Sequence, residues 1–237
     1  MTKRFEDIIM NTNIFAKANQ IIRTCATAYI GVIDSDGFPM VSTILPIKPN
    51  NMFDAYFATG TRSHKYNCLQ KNGRASVCYH SGGNNITLVG EIEILTDQST
   101  KSHFWQEGFN DFYPLGETDP LYCILKFTTK SAVLWIDNES AEFTIDELLT
   151  VQSRCGLLCK WCTYKESNGC GGCVETNGHP FHGECPVAKC CQGKGYAHCG
   201  ECPDMPCALL RQYSFDDPEH GDNPPGSRTE VCKAWIL

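Results

Sequence analysis

The stretch Tyr56-Phe-Ala-Thr-Gly-Thr-Arg-Ser-His-Lys65 decides how the first half of the chain folds. Residues 53–58 predict a β-strand, and the residues that follow break the strand pattern and begin a helix. We expect that helix to end near Lys71, because Asn72-Gly73 is a strong stop signal. A strand is therefore joined directly to the start of a helix.

The segments on either side are mostly strands. A helix is predicted at residues 3–22, because apolar and small residues recur there on one side at helical spacing. At least six strands with few helices predict a mainly β chain that closes as an antiparallel barrel with flanking helices. The helix side comprises Phe5, Ile8, Ile9, Thr12, Phe15, Ala16 and Asn19. The other predicted strands are 25–33, 38–47, 75–79, 86–95, 121–128 and 132–137, with a turn at 34–37, a loop at 81–85, a helix from Asp97 to about residue 108 and a short helix at 143–151.

Residues 59–65, between the strand and the helix, have the composition of a phosphate-binding site. Unpaired N–H groups and the positive end of the dipole at a helix N-terminus favour an anion, and hydroxyl groups complete its hydrogen bonds. The alternative is that Ser63 only caps the helix while Lys65 is solvated, and the residues alone leave both interpretations open. The candidate side chains are Thr59, Thr61, Arg62, Ser63 and Lys65.

The second half of the chain is rich in cysteine. Of the 16 cysteines in the chain, 11 lie within residues 155–207, and they include three Cys-x2-Cys pairs. That spacing lets two thiolates reach one metal ion, and zinc or an iron–sulfur cluster such as 4Fe-4S would each take four ligands. Spacing does not separate these two metals. The candidate ligands are Cys155, Cys159, Cys162, Cys170, Cys173, Cys185, Cys190, Cys191, Cys199, Cys202 and Cys207.

Charge and hydropathy exclude two classes of function. The formal net charge is -7, and residues 151–237 carry 8 Lys and Arg against 10 Asp and Glu, so we expect no nucleic-acid partner. No apolar run approaches the length of a membrane span, and the first residues lack the apolar core of a signal peptide. We therefore expect a soluble cytoplasmic protein, in which crowded thiols hold metal and not disulfides.

Several motifs in the first half resemble those of the pyridoxamine 5'-phosphate oxidase-like split-barrel flavoproteins. They are residues 56–65, Asn72-Gly-Arg-Ala-Ser-Val77 and Val89-Gly-Glu-Ile-Glu93, and the resemblance covers residues 3–143. The resemblance implies a six-stranded split barrel that binds FMN at the interface of a homodimer. It places the FMN phosphate on Thr59, Ser63 and Lys65 and a polar contact with the flavin ring on Asn85. With the neighbouring side chains, the predicted FMN site is Thr59, Thr61, Arg62, Ser63, Lys65 and Asn85.

Three departures limit what the resemblance carries. His64 replaces the usual Arg, Gly73 replaces the usual Pro, and the C-terminal Arg and His that hold pyridoxamine in the oxidase itself have no counterpart. The cofactor is therefore expected here, and the oxidase's substrate is not.

Residues 154–213 resemble a cysteine-rich domain family of unassigned function, DUF3795, which brings no settled chemistry. We predict an FMN-binding domain at 1–143, a linker at 144–154 and, at 155–237, a cysteine-rich domain that is stabilised by bound metal. Because a flavin beside a one-electron carrier makes an electron path, the favoured hypothesis is an FMN-dependent oxidoreductase whose tail carries iron–sulfur clusters, supplied by NAD(P)H or ferredoxin. The alternative is an FMN-binding protein with a zinc-stapled tail that is structural or binds a partner. No catalytic residue is predicted.

Overall fold

The computed structural model describes residues 3–47, 50–217, 221–222 and 224–236, with the backbone alone for residues 3–13, 161, 163 and 166. The chain divides into two compact units. One unit is residues 18–145, and the other combines the residues before it with those from 146 onward. Each unit is described by itself below.

The unit of residues 18–145 is built on one antiparallel sheet. Its order is β2-β1-β5-β6-β7-β4-β3, and β8 pairs with the second half of β7. The expected antiparallel, mainly β architecture is confirmed, with eight strands described where at least six were predicted. The strands are β1 (Ala28–Ile33), β2 (Pro39–Ile44), β3 (Pro46–Ile47), β4 (Asp54–Gly60), β5 (Arg74–Ser81), β6 (Asn84–Leu95), β7 (Tyr122–Ile136) and β8 (Glu139–Thr144).

Four local predictions differ from the structure in their bounds. The two strands predicted at 121–128 and 132–137 are a single strand, β7, because β6 pairs along both halves of it. The strand predicted at 38–47 is interrupted between β2 and β3. The loop predicted at 81–85 is a tight turn in which Ser81 and Asn84 are paired across β5 and β6. The helix predicted at 143–151 begins only after β8.

Buried and less buried residues alternate along the strands, which places the core of this unit against one face of the sheet. In β4, Ala55, Phe57 and Thr59 are buried, and the residues between them are half-buried. In β7, Phe127 is fully buried on the same side. Because side chains alternate with a period of two, Thr59 lies on the same buried face as Ala55 and Phe57, near the C-terminal end of β4.

The helices are short apart from the first. In α1 (Lys3–Thr24), Phe15, Ala16 and Asn19 are buried as predicted, and Asn19 Oδ1 accepts a hydrogen bond from the Met52 N–H at 3.0 Å. The predictions for Phe5, Ile8, Ile9 and Thr12 lie outside the described side chains. The remaining helices are α2 (His64–Lys71), α3 (Gln98–His103), α4 (Ile145–Leu149), α5 (Thr163–Ser167), α6 (Gly172–Glu175), α7 (Pro186–Gly193), α8 (Ala208–Arg211) and α9 (Ser227–Ala234). The helix predicted to run to residue 108 ends at His103, and a 3₁₀ turn, Glu107–Asp111, follows.

The unit that contains residues 146–236 has little regular structure and a small core. Buried Cys155, Val187, Cys191 and Leu210 pack with Cys199 and Cys232. Asp222 joins a π-helical turn, Gln212–Asp216, to α9: it accepts hydrogen bonds from Ser214 Oγ, from the Arg228 N–H (2.8 Å) and from Arg228 Nε (2.7 Å). Because few apolar side chains are buried, we expect hydrogen bonds and ion pairs of this kind to contribute substantially to the stability of the unit.

We expect Gly90→Ala to destabilise the barrel by about 1–3 kcal/mol, the usual cost of overpacking. A Cβ at Gly90 would collide with the carbonyl oxygen of Thr128 and lie 2.9 Å from Phe127 Cζ, at the irregularity where β6 and β7 change register. Urea denaturation measures the change. Gly108→Ala is the matched control, because a Cβ there meets no atom within 4 Å and should leave stability nearly unchanged. Equal midpoints for the two variants would contradict the prediction.

Candidate functional site

Residues 59–65 turn sharply from β4 into α2. The Thr61 N–H donates to the Leu121 carbonyl (2.8 Å) and the Ser63 N–H donates to the Gly60 carbonyl (2.9 Å), which closes the turn. Ser63 is the N-cap of α2, and its Oγ accepts from the Tyr66 N–H at 3.2 Å. The capping interpretation of Ser63 is therefore confirmed, and it is compatible with a ligand at the same helix end.

The side chains of Thr59 and Lys65 line a cavity of about 470 Å³. Thr59 is buried, and its Oγ1 lies 3.2 Å from Ser63 Oγ. Lys65 Nζ donates to the carbonyl oxygen of Thr43 at 3.4 Å, and burial lowers the pKa of Lys65. A half-buried ammonium and a hydroxyl group lining one cavity are favourable partners for a dianion, which would also raise the ammonium's pKa again.

Aromatic side chains also line this cavity. Phe109, Phe112 and Tyr113 line it, and Tyr113 Oη lies 4.0 Å from where a Cβ of Gly60 would be. Tyr113 also packs on Tyr122, with ring centroids 5.0 Å apart, and burial raises the pKa of Tyr113 to about 12. The tyrosine is therefore a neutral hydrogen-bond donor at any physiological pH. Sequence reasoning missed these three residues, since the 3₁₀ turn that carries Phe109 and the residues that follow it have no periodic pattern.

Trp105 is part of the same aromatic cluster, with its ring centroid 5.1 Å from that of Tyr122. Trp135 lies elsewhere, exposed on the outer face of the sheet. His64, which stands where the resembled family has Arg, is exposed and its Nε2 lies 3.5 Å from Cys68 Sγ. His64 is therefore not one of the residues that line the cavity.

The structure does not bring every predicted FMN contact to this cavity. Thr61 Oγ1 donates to the Pro120 carbonyl at 3.5 Å, and Arg62 is exposed, so neither lines it. Asn85 lies at the beginning of β6, paired with Trp135, whereas Leu95 at the other end of β6 lies near the β7 residues that pair with Thr59. Ten residues of extended strand, about 33 Å, separate Asn85 from that end. Within one chain, Asn85 and Lys65 therefore lie near opposite ends of β6.

In the second unit, the 11 cysteines of the run are divided between two cavities, and Cys159, Cys162 and Cys170 also line a third cavity of about 270 Å³. The first thiol cavity has a volume of about 250 Å³ and is lined by six of them: Cys155, Cys159, Cys162, Cys170, Cys173 and Cys185. The second thiol cavity has a volume of about 20 Å³ and is lined by the other five: Cys190, Cys191, Cys199, Cys202 and Cys207. The sixteen cysteines of the chain are all free thiols.

Backbone N–H groups point at several sulfurs of the first thiol cavity. The Gly172 N–H donates to Cys170 Sγ at 3.4 Å, and the Arg154 N–H donates to Cys173 Sγ at 3.3 Å. Burial raises the pKa of Cys162, while the N–H groups of the residues that follow it oppose that rise. Such bonds stabilise sulfur in its charged form, which is the form that binds metal.

A cation lies beside the second thiol cavity. Lys194 Nζ donates to Cys202 Sγ at 3.5 Å and to Asp204 Oδ2 at 3.1 Å. Cys191 Sγ has another role, since it donates to the carbonyl oxygen of Tyr196 at 3.3 Å. The tail histidines contribute little here: His198 is buried against Trp235 and accepts from the Gly200 N–H, and His179 pairs with Glu184.

Among the described residues, no three Cys, His, Asp or Glu side chains already converge in a geometry that would hold a metal ion. The donor chemistry nevertheless suits zinc or iron–sulfur ligation, because the cavities offer thiols in excess of four each. The described helices include none that is long and apolar enough to cross a bilayer.

Two family profiles together match most of the chain. The profile described as pyridoxamine 5'-phosphate oxidase like matches residues 15–151, which is more than half of the chain. The profile described as protein of unknown function (DUF3795) matches residues 151–212. No curated protein matches the sequence.

Solved structures match the barrel half. A Clostridium acetobutylicum protein related to general stress protein 26 of Bacillus subtilis, of the pyridoxinephosphate oxidase family, superposes with a TM-score of 0.53 at 25% identity, covering 57% of this chain and 97% of its own. General stress protein 26 from Bacillus anthracis gives 0.46 at 22% identity, covering 54% and 97%. A pyridoxamine 5'-phosphate oxidase-related, FMN-binding protein from Nostoc punctiforme gives 0.38 at 14% identity, covering 54% and 93%.

Proposed function

Because the chain belongs to the pyridoxamine 5'-phosphate oxidase-like family, we propose that its barrel unit binds FMN in the cavity lined by Thr59, Lys65 and Tyr113. The observation that carries this proposal is the lining of that cavity, which combines the ammonium of Lys65 and the hydroxyl of Thr59 with aromatic rings. Its volume, about 470 Å³, lies in the ordinary range for a site that encloses a small organic molecule.

Each end of the cavity suits one part of the cofactor. Thr59 and Lys65 would hold the phosphate, with N-terminal N–H groups of α2 as further donors. The aromatic wall would bind the flavin ring, and the Tyr113 hydroxyl would donate to an acceptor on the ligand. When bound, FMN supplies transfer of a hydride or of single electrons, and the protein positions it and excludes water.

The outer face of the sheet supports a homodimer. Tyr29 and Val133 lie in one row across β1, β5, β6 and β7, and Val41 and Val89 lie in the next row. All four are exposed, as is Trp135 beside them. An apolar patch of this extent on a sheet is typical of a protein interface. Asn85 lies on this face too, so in a dimer the predicted contact with the flavin ring would come from the partner subunit.

We expect Val133→Glu to convert the dimer into a monomer, because Val133 is 45% exposed and a carboxylate buried there would be desolvated without a partner. Sedimentation equilibrium would measure a mass near twice 26.4 kDa for the unchanged protein and near 26.4 kDa for the variant. Leu115→Glu is the control, since Leu115 is 68% exposed on a loop away from the sheet. A monomeric unchanged protein would rule out this interface.

For the whole chain we infer an FMN-dependent oxidoreductase of the cytoplasm, whose tail thiols carry iron–sulfur centres that exchange electrons with the flavin. The support is chemical: two cavities lined by free cysteines accompany a flavin-binding fold in one chain. A donor such as NAD(P)H or ferredoxin would supply electrons, and the tail centres would accept or return them one at a time.

The test begins with the absorption spectrum of anaerobically purified protein, together with analysis for flavin, iron, sulfide and zinc. Flavin with iron and sulfide, followed by rapid flavin reduction by NAD(P)H or reduced ferredoxin, is the expected result. Flavin with zinc alone, and no reduction by either donor, would replace the oxidoreductase with an FMN-binding protein that has a zinc-stapled tail. A protein that neither contains nor takes up flavin would overturn the proposal for the barrel.

A further inference from the structure

The cysteines of the tail divide between the two thiol cavities in chain order. The first six of the run line the first thiol cavity and the last five line the second, and no cysteine of the run lines both. Two of the three Cys-x2-Cys pairs, Cys159 with Cys162 and Cys170 with Cys173, face the first cavity. The third pair, Cys199 with Cys202, faces the second. Each cavity therefore has enough thiols to complete a centre without borrowing from the other.

The cavities differ more than tenfold in volume. The second thiol cavity, about 20 Å³, has room for a particle about the size of one water molecule, and so for a single metal ion. The first, about 250 Å³, is open to solvent and far larger than one ion needs. A group of several metal and sulfide atoms would fill more of it. The lining is mainly apolar, with Phe181 and Tyr213 among its members.

The contacts select ligands within each set. In the first cavity, the two Cys-x2-Cys pairs supply four thiols, and Cys170 and Cys173 accept backbone N–H bonds. The other two cysteines of this cavity, Cys155 and Cys185, lie outside these pairs.

In the second cavity, the Cys191 thiol donates to the carbonyl oxygen of Tyr196, which leaves four others. Those four are Cys190, Cys199, Cys202 and Cys207. Lys194, beside Cys202, would offset part of the negative charge of a site with four thiolates.

We propose that the tail holds two different metal centres: an iron–sulfur cluster on Cys159, Cys162, Cys170 and Cys173, and a single zinc ion on Cys190, Cys199, Cys202 and Cys207. This rests on the proposed metal-binding role of the tail and assigns its number of centres, their ligands and their kinds. The cluster would be the redox group, and the zinc ion would fix α7 to the segment that carries Cys199 and Cys202.

The experiment uses the full chain, purified anaerobically, with iron, sulfide and zinc counted per chain. We expect about four iron and four sulfide with about one zinc in the unchanged protein. Cys170→Ser with Cys173→Ser should lose at least 90% of the iron and keep the zinc. Cys199→Ser with Cys202→Ser should lose the zinc and keep the iron. Cys191→Ser and, in the barrel, Cys78→Ser are the matched controls and should keep both metals.

The possible outcomes distinguish this inference from the underlying proposal that the tail binds metal. A protein without iron or zinc would overturn the metal-binding tail altogether. Zinc in both cavities would overturn the cluster, and loss of both metals from each double variant, with the tail still folded by circular dichroism, would overturn the separation into two centres. If the variants do not fold, exchange of Co²⁺ into the unchanged protein decides: one equivalent with a tetrahedral thiolate spectrum and undiminished iron supports two centres, and displacement of iron by Co²⁺ contradicts them.

Discussion

Lys65→Ala is expected to weaken FMN binding by about 10- to 150-fold, which corresponds to the 1.5–3 kcal/mol of a hydrogen bond to a charged group. Lys65 is the cation of the cavity that also contains Thr59, and its ammonium is half-buried, so solvent would screen its attraction to a phosphate only in part. Fluorescence titration of the flavin-free protein measures the dissociation constant.

Riboflavin makes this test specific, because it differs from FMN only by lacking the phosphate. Lys65→Ala should leave the affinity for riboflavin unchanged, so that the preference for FMN over riboflavin falls by the same factor as the affinity for FMN. Lys71→Ala removes the same charge from the exposed C-terminal end of α2 and is the matched control. If both lysine variants bind FMN as tightly as the unchanged protein does, the phosphate lies elsewhere. An equal loss for both flavins would mean that Lys65 supports the cavity and does not contact phosphate.

The phosphate end of the candidate site could be predicted from sequence because its determinants are local. Strand β4, the cap at Ser63 and the position of Lys65 lie within a dozen residues, and propensity and capping rules act over that distance. The aromatic end could not be predicted. Tyr113 reaches the cavity through tertiary packing against Tyr122, and no short-range pattern encodes that contact.

Asn85 shows the limit of carrying a role over from a motif. The sequence places it correctly before Gly90, but its distance from residues 59–65 depends on the length of β6 and its register with β7. Similarly, alternation predicted separate strands at 121–128 and 132–137, yet β7 continues through residues 129–131. The reason is that β6 pairs on one side of β7 while β4 and β8 pair with its successive halves on the other. Departure from the family pattern at Gly73 has a local cause, since a Cβ there would lie 2.9 Å from the Ile92 carbonyl oxygen.

Spacing predicted that the tail thiols could ligate metal, but it could not group them. Because a long segment separates Cys173 from Cys185, spacing along the chain does not determine which distant thiols share a metal site. Only the folded arrangement divides them into six and five.

Asp222→Ala is expected to destabilise the tail unit by about 3–5 kcal/mol, the usual cost of removing one partner from a buried ion pair. The Asp222 carboxylate is 2% exposed and accepts one hydrogen bond from Ser214 and two from Arg228, so its removal breaks three hydrogen bonds in a buried site. Urea denaturation followed by tryptophan fluorescence measures the loss.

Glu230→Ala is the control on the same helix. It removes a carboxylate from an exposed pair with Lys233, and such pairs contribute about 0–1 kcal/mol. Similar losses for Asp222→Ala and Glu230→Ala would show that the buried pair is not what orders this unit.

A third variant separates the charge of Asp222 from its hydrogen bonds. Burial raises the pKa of Asp222 despite Arg228, which indicates that desolvation of the carboxylate outweighs its attraction to the guanidinium. The stabilisation then comes from the hydrogen-bond donors that Asp222 satisfies. Asp222→Asn retains an acceptor oxygen, so it should lose less stability than Asp222→Ala. Equal losses for Asp222→Asn and Asp222→Ala would contradict this account.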